Sequence, residues 1–416
     1  MTYHLEDMTA KSITVLQTKP HKSTYRSARA EGHDWRDIGA ALIRSLDLQD
    51  ADKPHYSCAF LFITDALAGD AASLLTLLQD VTAIPVWAGC SGIGVMDSHG
   101  ASLTEKAAVL LVCDFPPHCV MNLPIQTQPD FLILPDTIHS WLKLHGPPFG
   151  LVFADPFPDG QLGGLLHQLS RQTGAFLVGG ISSAADDADA AGHMAGILLS
   201  SQVYVQTAMS QGCTPIGPAH TITRLDNGLI AALDDQPALH VFASDLRHMA
   251  MADIGTDPDA IAVGHEVSQE ALEDSFSHLF QGEVHVGLPI AGSDRGDYLV
   301  RPMLGVEADS EHIMIDAPLQ EGMAIRFVRR NDKTMFGDLA RMLDDVKKRV
   351  EDAPNPPKAA IYISCAGRAV SPDMRADELV SLRAVLGDIP MAGFYAGGEI
   401  FREDQHSFTG ILTLFY

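Results

Sequence analysis

Pro390-Met391-Ala392-Gly393-Phe394-Tyr395-Ala396-Gly397-Gly398-Glu399 is an apolar run that breaks on paired glycines, and the same kind of break occurs twice earlier in the chain. The other copies are Phe176-Leu177-Val178-Gly179-Gly180-Ile181-Ser182-Ser183 and Pro85-Val86-Trp87-Ala88-Gly89-Cys90-Ser91-Gly92. Upstream of each lies an apolar, strand-like run: Cys58 to Ile63, Gly150 to Ala154 and Ala359 to Cys365. Between run and glycines sits an apolar-periodic stretch. In the second copy it is Leu162, Leu165, Leu166 and Leu169, a spacing that lines one face of a helix. Leu74, Leu75, Leu78 and Val81 in the first copy, and Leu379, Leu382, Val385 and Leu386 in the third, occupy the same place. A further apolar run closes each copy: Ala107 to Cys113, Gly196 to Leu199 and Phe408 to Phe415. The opening and glycine-bearing runs begin at 58 and 86, 150 and 176, and 359 and 390, the similar spacings of an internal repeat. Each unit reads as strand, helix, short strand, glycine turn and final strand. The expected fold is therefore α/β, with helices packed on mixed sheets.

The remaining segments fit around these units. Thr221 to Leu225 and Leu229 to Leu233 flank Asp226-Asn227-Gly228, and Asn-Gly supplies the positive φ angles of a type I′ hairpin turn. Strand-like stretches at Val284 to Val286, Tyr298 to Val306, His312 to Ile315 and Met323 to Val328 predict an antiparallel section. An amphipathic helix with Leu339, Met342, Leu343, Val346 and Val350 follows, ended by Asp352-Ala353-Pro354-Asn355-Pro356-Pro357. Two domains are expected, 57–235 and 236–416, behind a lead segment 1–56, with the boundary at Asp234-Asp235-Gln236-Pro237.

Bulk properties narrow the partners. With 46% hydrophobic and 19% charged residues over 416 positions the chain is globular, and no run approaches the roughly 20 apolar residues that span a bilayer. A formal net charge of −25 repels nucleic-acid phosphates and anionic lipid, so neither nucleic acid nor membrane is an expected partner. Met1 to Pro20 lacks the apolar core and cleavage site of a secretory signal, which predicts a cytoplasmic protein. Its six scattered cysteines are expected to be reduced.

The common catalytic signatures are absent. No Gly-x-x-x-x-Gly-Lys-Ser/Thr loop, Gly-x-Ser-x-Gly elbow or His-Glu-x-x-His pair occurs. Gly89 to Gly94 superficially resembles a dinucleotide loop, but an apolar strand follows it instead of the helix N-terminus that would hold a pyrophosphate. No cysteine pair has Cys-x-x-Cys spacing, so neither metal nor cofactor is expected.

Binding candidates are the glycine turns and their neighbours. Gly92, Gly179, Gly180, Gly397 and Gly398 either let a ligand approach the main chain or pack the repeats together. Cys90, Ser91 and Ser182, with Phe394, would line such a site. Arg368 follows the apolar strand ending in Ser364-Cys365, at the strand end where open α/β sheets place ligands. Arg368 would clamp a carboxylate and Glu399 accept from an amine, a pair suited to an amino acid; alternatively the two form structural ion pairs. Gln211 and Cys213 lie in Ser210 to Pro218, read as a loop at the cleft or a crossover between domains. Cys90, Cys213 or Cys365 as nucleophile would need a base that no motif supplies.

Ser210 to Pro218, Thr221-Ile222-Thr223-Arg224 and Leu233 to Leu239 resemble the N-terminal domain and junction of the FIST (F-box and intracellular signal transduction) family. Ser364-Cys365-Ala366-Gly367-Arg368 and Ala392 to Ile400 resemble the end of its C-terminal domain, and Gly89-Cys90-Ser91 its N-terminal glycine motif. The resemblance covers Ser57 to Tyr416. It implies a sensory module for small ligands, amino acids having been proposed, often joined to kinase, cyclic-dinucleotide or chemotaxis output domains. Two departures stand out. Val95-Met96 follows Gly94 where the family often has an acidic residue, and the chain stops at Tyr416 directly after its last expected strand. The expectation is a stand-alone, non-enzymatic sensor that signals to a separate partner protein. The competing reading is an adaptor in which the glycine turns only pack.

Overall fold

The computed structural model describes residues 24–48, 56–103, 105–116, 118–126, 132–157, 161–183, 192–254, 283–289, 298–307, 310–315, 317–369 and 371–416. The reading of Met1 to Pro20 lies outside them.

The opening strands Cys58–Thr64, Phe149–Ala154 and Ala359–Cys365 each run parallel to the next strand of their repeat: Val86–Ala88, Phe176–Ile181 and Met391–Ala396. Parallel neighbours need a crossover, and the helices Ala71–Thr82, Gln161–Thr173 and Pro372–Leu386 provide it. Antiparallel closing strands, Ala107–Cys113, Met194–Leu199 and Gly410–Phe415, flank the other side of each opening strand. Beyond them lie the outer strands Tyr25–Glu31, Val120–Gln126 and Val205–Ser210.

Residues 24–48 therefore belong to the first repeat and are no separate lead. They carry its outer strand and its helix Trp35–Ser45, the counterpart of Asp136–His145 in the second repeat. A half-exposed edge strand such as Tyr-Arg-Ser-Ala-Arg-Ala-Glu has no continuous apolar run to announce it.

Why the strands read as unbroken apolar runs is visible in their alternation. Val109 and Leu111, Leu151 and Phe153, and Ile361 and Ile363 point into one central core shared by the three sheets. Their neighbours Leu110 and Val112, Val152 and Ala154, and Ala360 and Tyr362 point outward against the helices of their own repeats. Both faces are dry, so period-2 patterning disappears. At the centre Phe62 stacks on Phe394, with ring centroids 4.8 Å apart, and Phe153 meets Phe62 edge-to-face at 5.3 Å.

The first and third glycine turns pass the chain from one sheet to another. After the first, Gly94–Asp97 pairs with Met391–Ala396 of the third repeat; after the third, Gly398–Phe401 pairs with Phe176–Ile181 of the second. The repeats are thereby tied together by backbone hydrogen bonds as well as by their common core.

Into the third repeat, between its outer strand Val205–Ser210 and its helix Asp332–Asp352, is inserted a second body. Thr214–Asp226, Ala324–Arg329, Val284–Pro289, Tyr298–Glu307, His312–Ile315 and Leu229–Leu233 pair antiparallel in that order. Leu229–Leu233 also pairs with Thr214–Asp226, which closes the sheet into a barrel. Asn227 and Gly228 have φ of 49° and 82°, the left-handed backbone a type I′ turn requires. The barrel has its own core, including Ile222, Ile230, Phe242, Leu246, Val286 and Phe327, two of them from the helix Ala238–Ile254. The boundary drawn at 235/236 falls inside this barrel, because strands on both sides of it pair with one another.

Among the described residues no helix is long and apolar enough to cross a membrane.

Candidate functional site

Polar side chains gather at the carboxyl end of Ala359–Cys365. A single 3-10 turn, Ala366–Arg368, bends the chain so that Arg368 points inward, where it is 1% exposed. Its Nε donates to Glu378 Oε1 at 2.9 Å, and Nη2 lies 2.8 Å from the same oxygen. Glu378 also accepts from Tyr362 Oη (2.6 Å) and Ser364 Oγ (3.0 Å). The expected ligand clamp of Arg368 with Glu399 is thus replaced by a buried ion pair of Arg368 with Glu378. The helix Pro372–Leu386 carries Glu378 onto the sheet, a placement that ten positions of sequence separation do not reveal.

Glu399 is fully buried in the strand that joins the second repeat's sheet, opposite Gly180. Its Oε2 accepts from the backbone N–H (2.9 Å) and hydroxyl (2.8 Å) of Thr409, while Oε1 has no nitrogen or oxygen partner. Burial pushes the carboxyl up to about 7 against the pull of these bonds.

Beside this network, where the barrel joins the third repeat, opens a cleft of about 360 Å³ lined by Gly212, Arg330, Gly367, Arg368, Met374 and Phe408 among others. Arg330 directly follows the barrel strand Ala324–Arg329, and its guanidinium carbon lies 3.4 Å from the centroid of the Phe408 ring. His285 faces Arg330, and burial, then the guanidinium charge, push the imidazole down to about 4. Neutral His285 therefore accepts at Nε2 from Arg330 Nη1, 3.2 Å away. The other two guanidinium nitrogens, Nε and Nη2, are buried without a hydrogen-bond partner. Burial lowers Arg330 to about 10, so it remains a cation at neutral pH. Its unpaired Nε–Nη2 edge is the one that meets a carboxylate side-on through two parallel hydrogen bonds.

Residues 57–236 match the FIST N domain and residues 264–402 the FIST C domain. The chain belongs to the FIST family. FIST domains are signal-transduction sensory domains. The FIST C match stops short of Phe408 and of the closing strand, and the FIST N match starts after the first outer strand. Over 212 residues the chain is 31% identical to the uncharacterized protein Mb0898c of Mycobacterium bovis, covering 50% of this chain and 49% of that one. It is 28% identical over 214 residues to the uncharacterized protein Rv0628c of Mycobacterium tuberculosis, covering 50% of each. The chain spans about half the length of the curated relatives it matches.

The other candidates of this FIST chain fall into three groups. Gly92, Gly179, Gly180, Gly397 and Gly398 pack: a Cβ at Gly92 would lie 2.7 Å from Tyr395 O, at Gly180 2.6 Å from Phe394 Cζ, and at Gly397 2.9 Å from Ser182 O. Phe394 is fully buried in the central core. A second group meets around two aspartates that follow the first two opening strands. Ser183 Oγ donates to Asp65 (2.6 Å), Ser182 Oγ to Asp155 (2.8 Å), and His193 Nδ1 lies 3.1 Å from Asp155. Cys90 is close enough that its thiol is raised by burial and then by Asp155 and Asp65, and Ser91 pairs in the strand beside Ile63.

The third group flanks the cleft. Gln211 donates from Nε2 to Tyr298 O at 2.6 Å, and the Cys213 thiol lies 3.8 Å from Tyr298 Oη. Ser210 to Pro218 is the crossover into the barrel, with Gly212 on the cleft wall. Burial raises the Cys213 thiol to about 11 and Cys365, helped by Glu399, to about 12. No group of three or more His, Cys, Asp or Glu among the described residues could hold a metal ion.

These thiols are expected to react with iodoacetamide at least about 10-fold more slowly in the folded protein than in urea, since the thiolate is the nucleophile. Mass-spectrometric mapping checks this for Cys90, Cys213 and Cys365, and a hyper-reactive thiol at any of them would revive the nucleophile reading.

Arg330, His285 and Phe408 escaped the sequence reading. One signal was present in each arm: Arg329-Arg330-Asn331 sits where a barrel strand ends and Asn331 caps the next helix in a capping box with Thr334. Phe408 has φ of 63°, a left-handed conformation rare for an aromatic residue, and it holds the ring against Arg330.

Proposed function

We propose that this FIST chain is a non-catalytic sensor that binds a small carboxylate-bearing metabolite, an amino acid in the first instance, in the cleft between barrel and third repeat. The observation that carries this reading is the unpaired Nε–Nη2 edge of Arg330, buried against the Phe408 ring in a cleft large enough for such a molecule. Asp332 lines the same cleft and supplies negative charge for an ammonium group, whereas Glu283, also on its wall, is paired with Arg329 at 2.9 Å. A separate output protein reads the occupied state. Six free cysteines accord with a reducing, cytoplasmic setting.

The test is a thermal-shift screen against amino acids and related carboxylates. A binder is expected to raise the melting temperature with the logarithm of its concentration, by an amount equivalent to about 2.7 kcal/mol at 100 times its dissociation constant. Arg330→Ala should abolish the shift, and Arg330→Lys should weaken it by losing the two-pronged geometry. A shift that survives Arg330→Ala would move the site elsewhere. A flat screen on folded protein would favour the adaptor reading, which the packed glycine turns support; its mark is a partner captured without any metabolite.

A further inference from the structure

The cleft coincides with a joint. The inserted barrel connects to the three-repeat body through two short segments, 211–213 on entry and 330–331 on exit, and Gly212, Arg330 and Asn331 from these segments line the cleft. Opposite them stand Gly367, Arg368, Ser371, Met374 and Phe408 of the third repeat. Anything filling the cleft touches both bodies at their hinge points.

Two further features bear on how the bodies are seated. Their cores are separate: the barrel's apolar cluster contains no residue of the repeats' opening or closing strands, and only a small cluster of Cys213, Tyr298, Val300 and Val328 lies at the joint. Second, a single buried carboxylate pins the entry segment. Asp338 Oδ2, on the helix Asp332–Asp352, accepts from Ser210 Oγ (3.0 Å), Gln211 N (2.6 Å) and Gly212 N (3.0 Å), while Oδ1 takes Arg341. Gly212 has φ of 68°, and a Cβ there would lie 2.8 Å from Phe408 O, so entry segment and cleft wall are in direct contact. On the exit side, the Arg330–Phe408 stack is the matching contact.

We infer that ligand occupancy of the cleft sets the seating of the barrel on the repeats, through the Arg330–Phe408 contact on one segment and the Asp338 clasp on the other. The barrel is then the element that transmits the signal. This rests on the proposed ligand cleft and adds the route by which binding is reported. Coupling of this kind needs an element with two seatings that the ligand distinguishes, and a body with its own core on two short tethers supplies one.

The experiment measures barrel-to-body distances by pulsed electron resonance. Spin labels go on Leu304→Cys in the barrel and Val380→Cys on the third repeat, 58% and 66% exposed, in a Cys90→Ser background. A Leu144→Cys/Val380→Cys pair within the body is the control. Asp338→Ala is expected to broaden the barrel-to-body distribution about twofold and to leave the control pair unchanged. Asp338→Asn, which removes the charge and turns one acceptor oxygen into a donor, serves if the alanine variant does not fold. L-Glutamate, with acetate as the minimal carboxylate, should narrow the distribution in the parent protein and not in Arg330→Ala.

An unchanged distribution in the Asp338 variants overturns the inference whatever binds. Glutamate that raises the melting temperature without moving the distance overturns it too, and leaves the cleft reading standing. If neither carboxylate affects melting or distance, the carboxylate cleft fails and the inference falls with it.

Discussion

Gly179→Ala is expected to destabilise the protein by about 4 kcal/mol or more. A Cβ at Gly179 would lie 1.7 Å from Val152 O on the neighbouring parallel strand, and no rotamer relieves a backbone clash. The other repeats hold glycine for the same reason, Gly89 against Leu61 O at 1.8 Å and Gly393 against Tyr362 O at 2.0 Å. The strands must separate to admit the methyl group, which breaks the ladder where the three sheets meet. A loss of about 4 kcal/mol or more is the scale for such strain, against a total stability of roughly 5–15 kcal/mol. Urea denaturation followed by circular dichroism measures it. Gly164→Ala is the control: that helical position has open space around it, and alanine there should stabilise by about 0.5–1 kcal/mol. Equal midpoints for Gly179→Ala and the parent protein would refute the packing account of the glycine turns.

Glu399→Gln is expected to flatten part of the pH dependence of stability. The carboxyl titrates at about 7 in the folded protein, against 4.5 for an unperturbed glutamate, because burial disfavours the anion more than the Thr409 bonds favour it. Between these two values the folded state holds a proton that the unfolded state has released, so stability falls as pH rises from about 4.5 to 7. Above that window the cost is about 3 kcal/mol at roughly 1.4 kcal/mol per pH unit of difference. Glutamine mimics the protonated acid, keeping an oxygen for the Thr409 donors and carrying no charge. The variant should match the parent at pH 4.5 and exceed its stability by about 3 kcal/mol at pH 8. Thermal melts across this range decide the matter, and parallel pH profiles for the two proteins would show that Glu399 is already ionised in the fold.

Both outcomes depend on where the chain brings distant segments together, and that is where reading the sequence stops. The three repeats, their strands and their helices follow from local pattern: apolar runs that are dry on both faces, the helix-face spacing of Leu162 to Leu169, and glycines at similar intervals. The hairpin at Asn227-Gly228 and the four strands between Glu283 and Arg329 are equally local, as is the helix that Asn331 caps. Such features are set by period, turn chemistry and propensity within some twenty residues.

Tertiary structure alone closed the barrel, through the pairing of Ile230 with Ile313, and made it an insertion in the third repeat. It alone recruited Tyr25–Glu31 as the first outer strand, whose half-exposed pattern carries too little apolar signal to be recognised. The site was divided in the same way. Arg368 and Glu399 stood out as residue types at strand ends, but the choice of Glu378 as partner for Arg368, and of Phe408 and His285 as neighbours of Arg330, was made across 10, 78 and 45 positions of sequence. A sequence determines which face of each element is buried and where it turns. Which faces meet is a competition among long-range contacts, won by packing and by the satisfaction of buried polar groups, and here that competition placed Arg330, with two guanidinium nitrogens unpaired, in the wall of a cleft at the joint of two bodies.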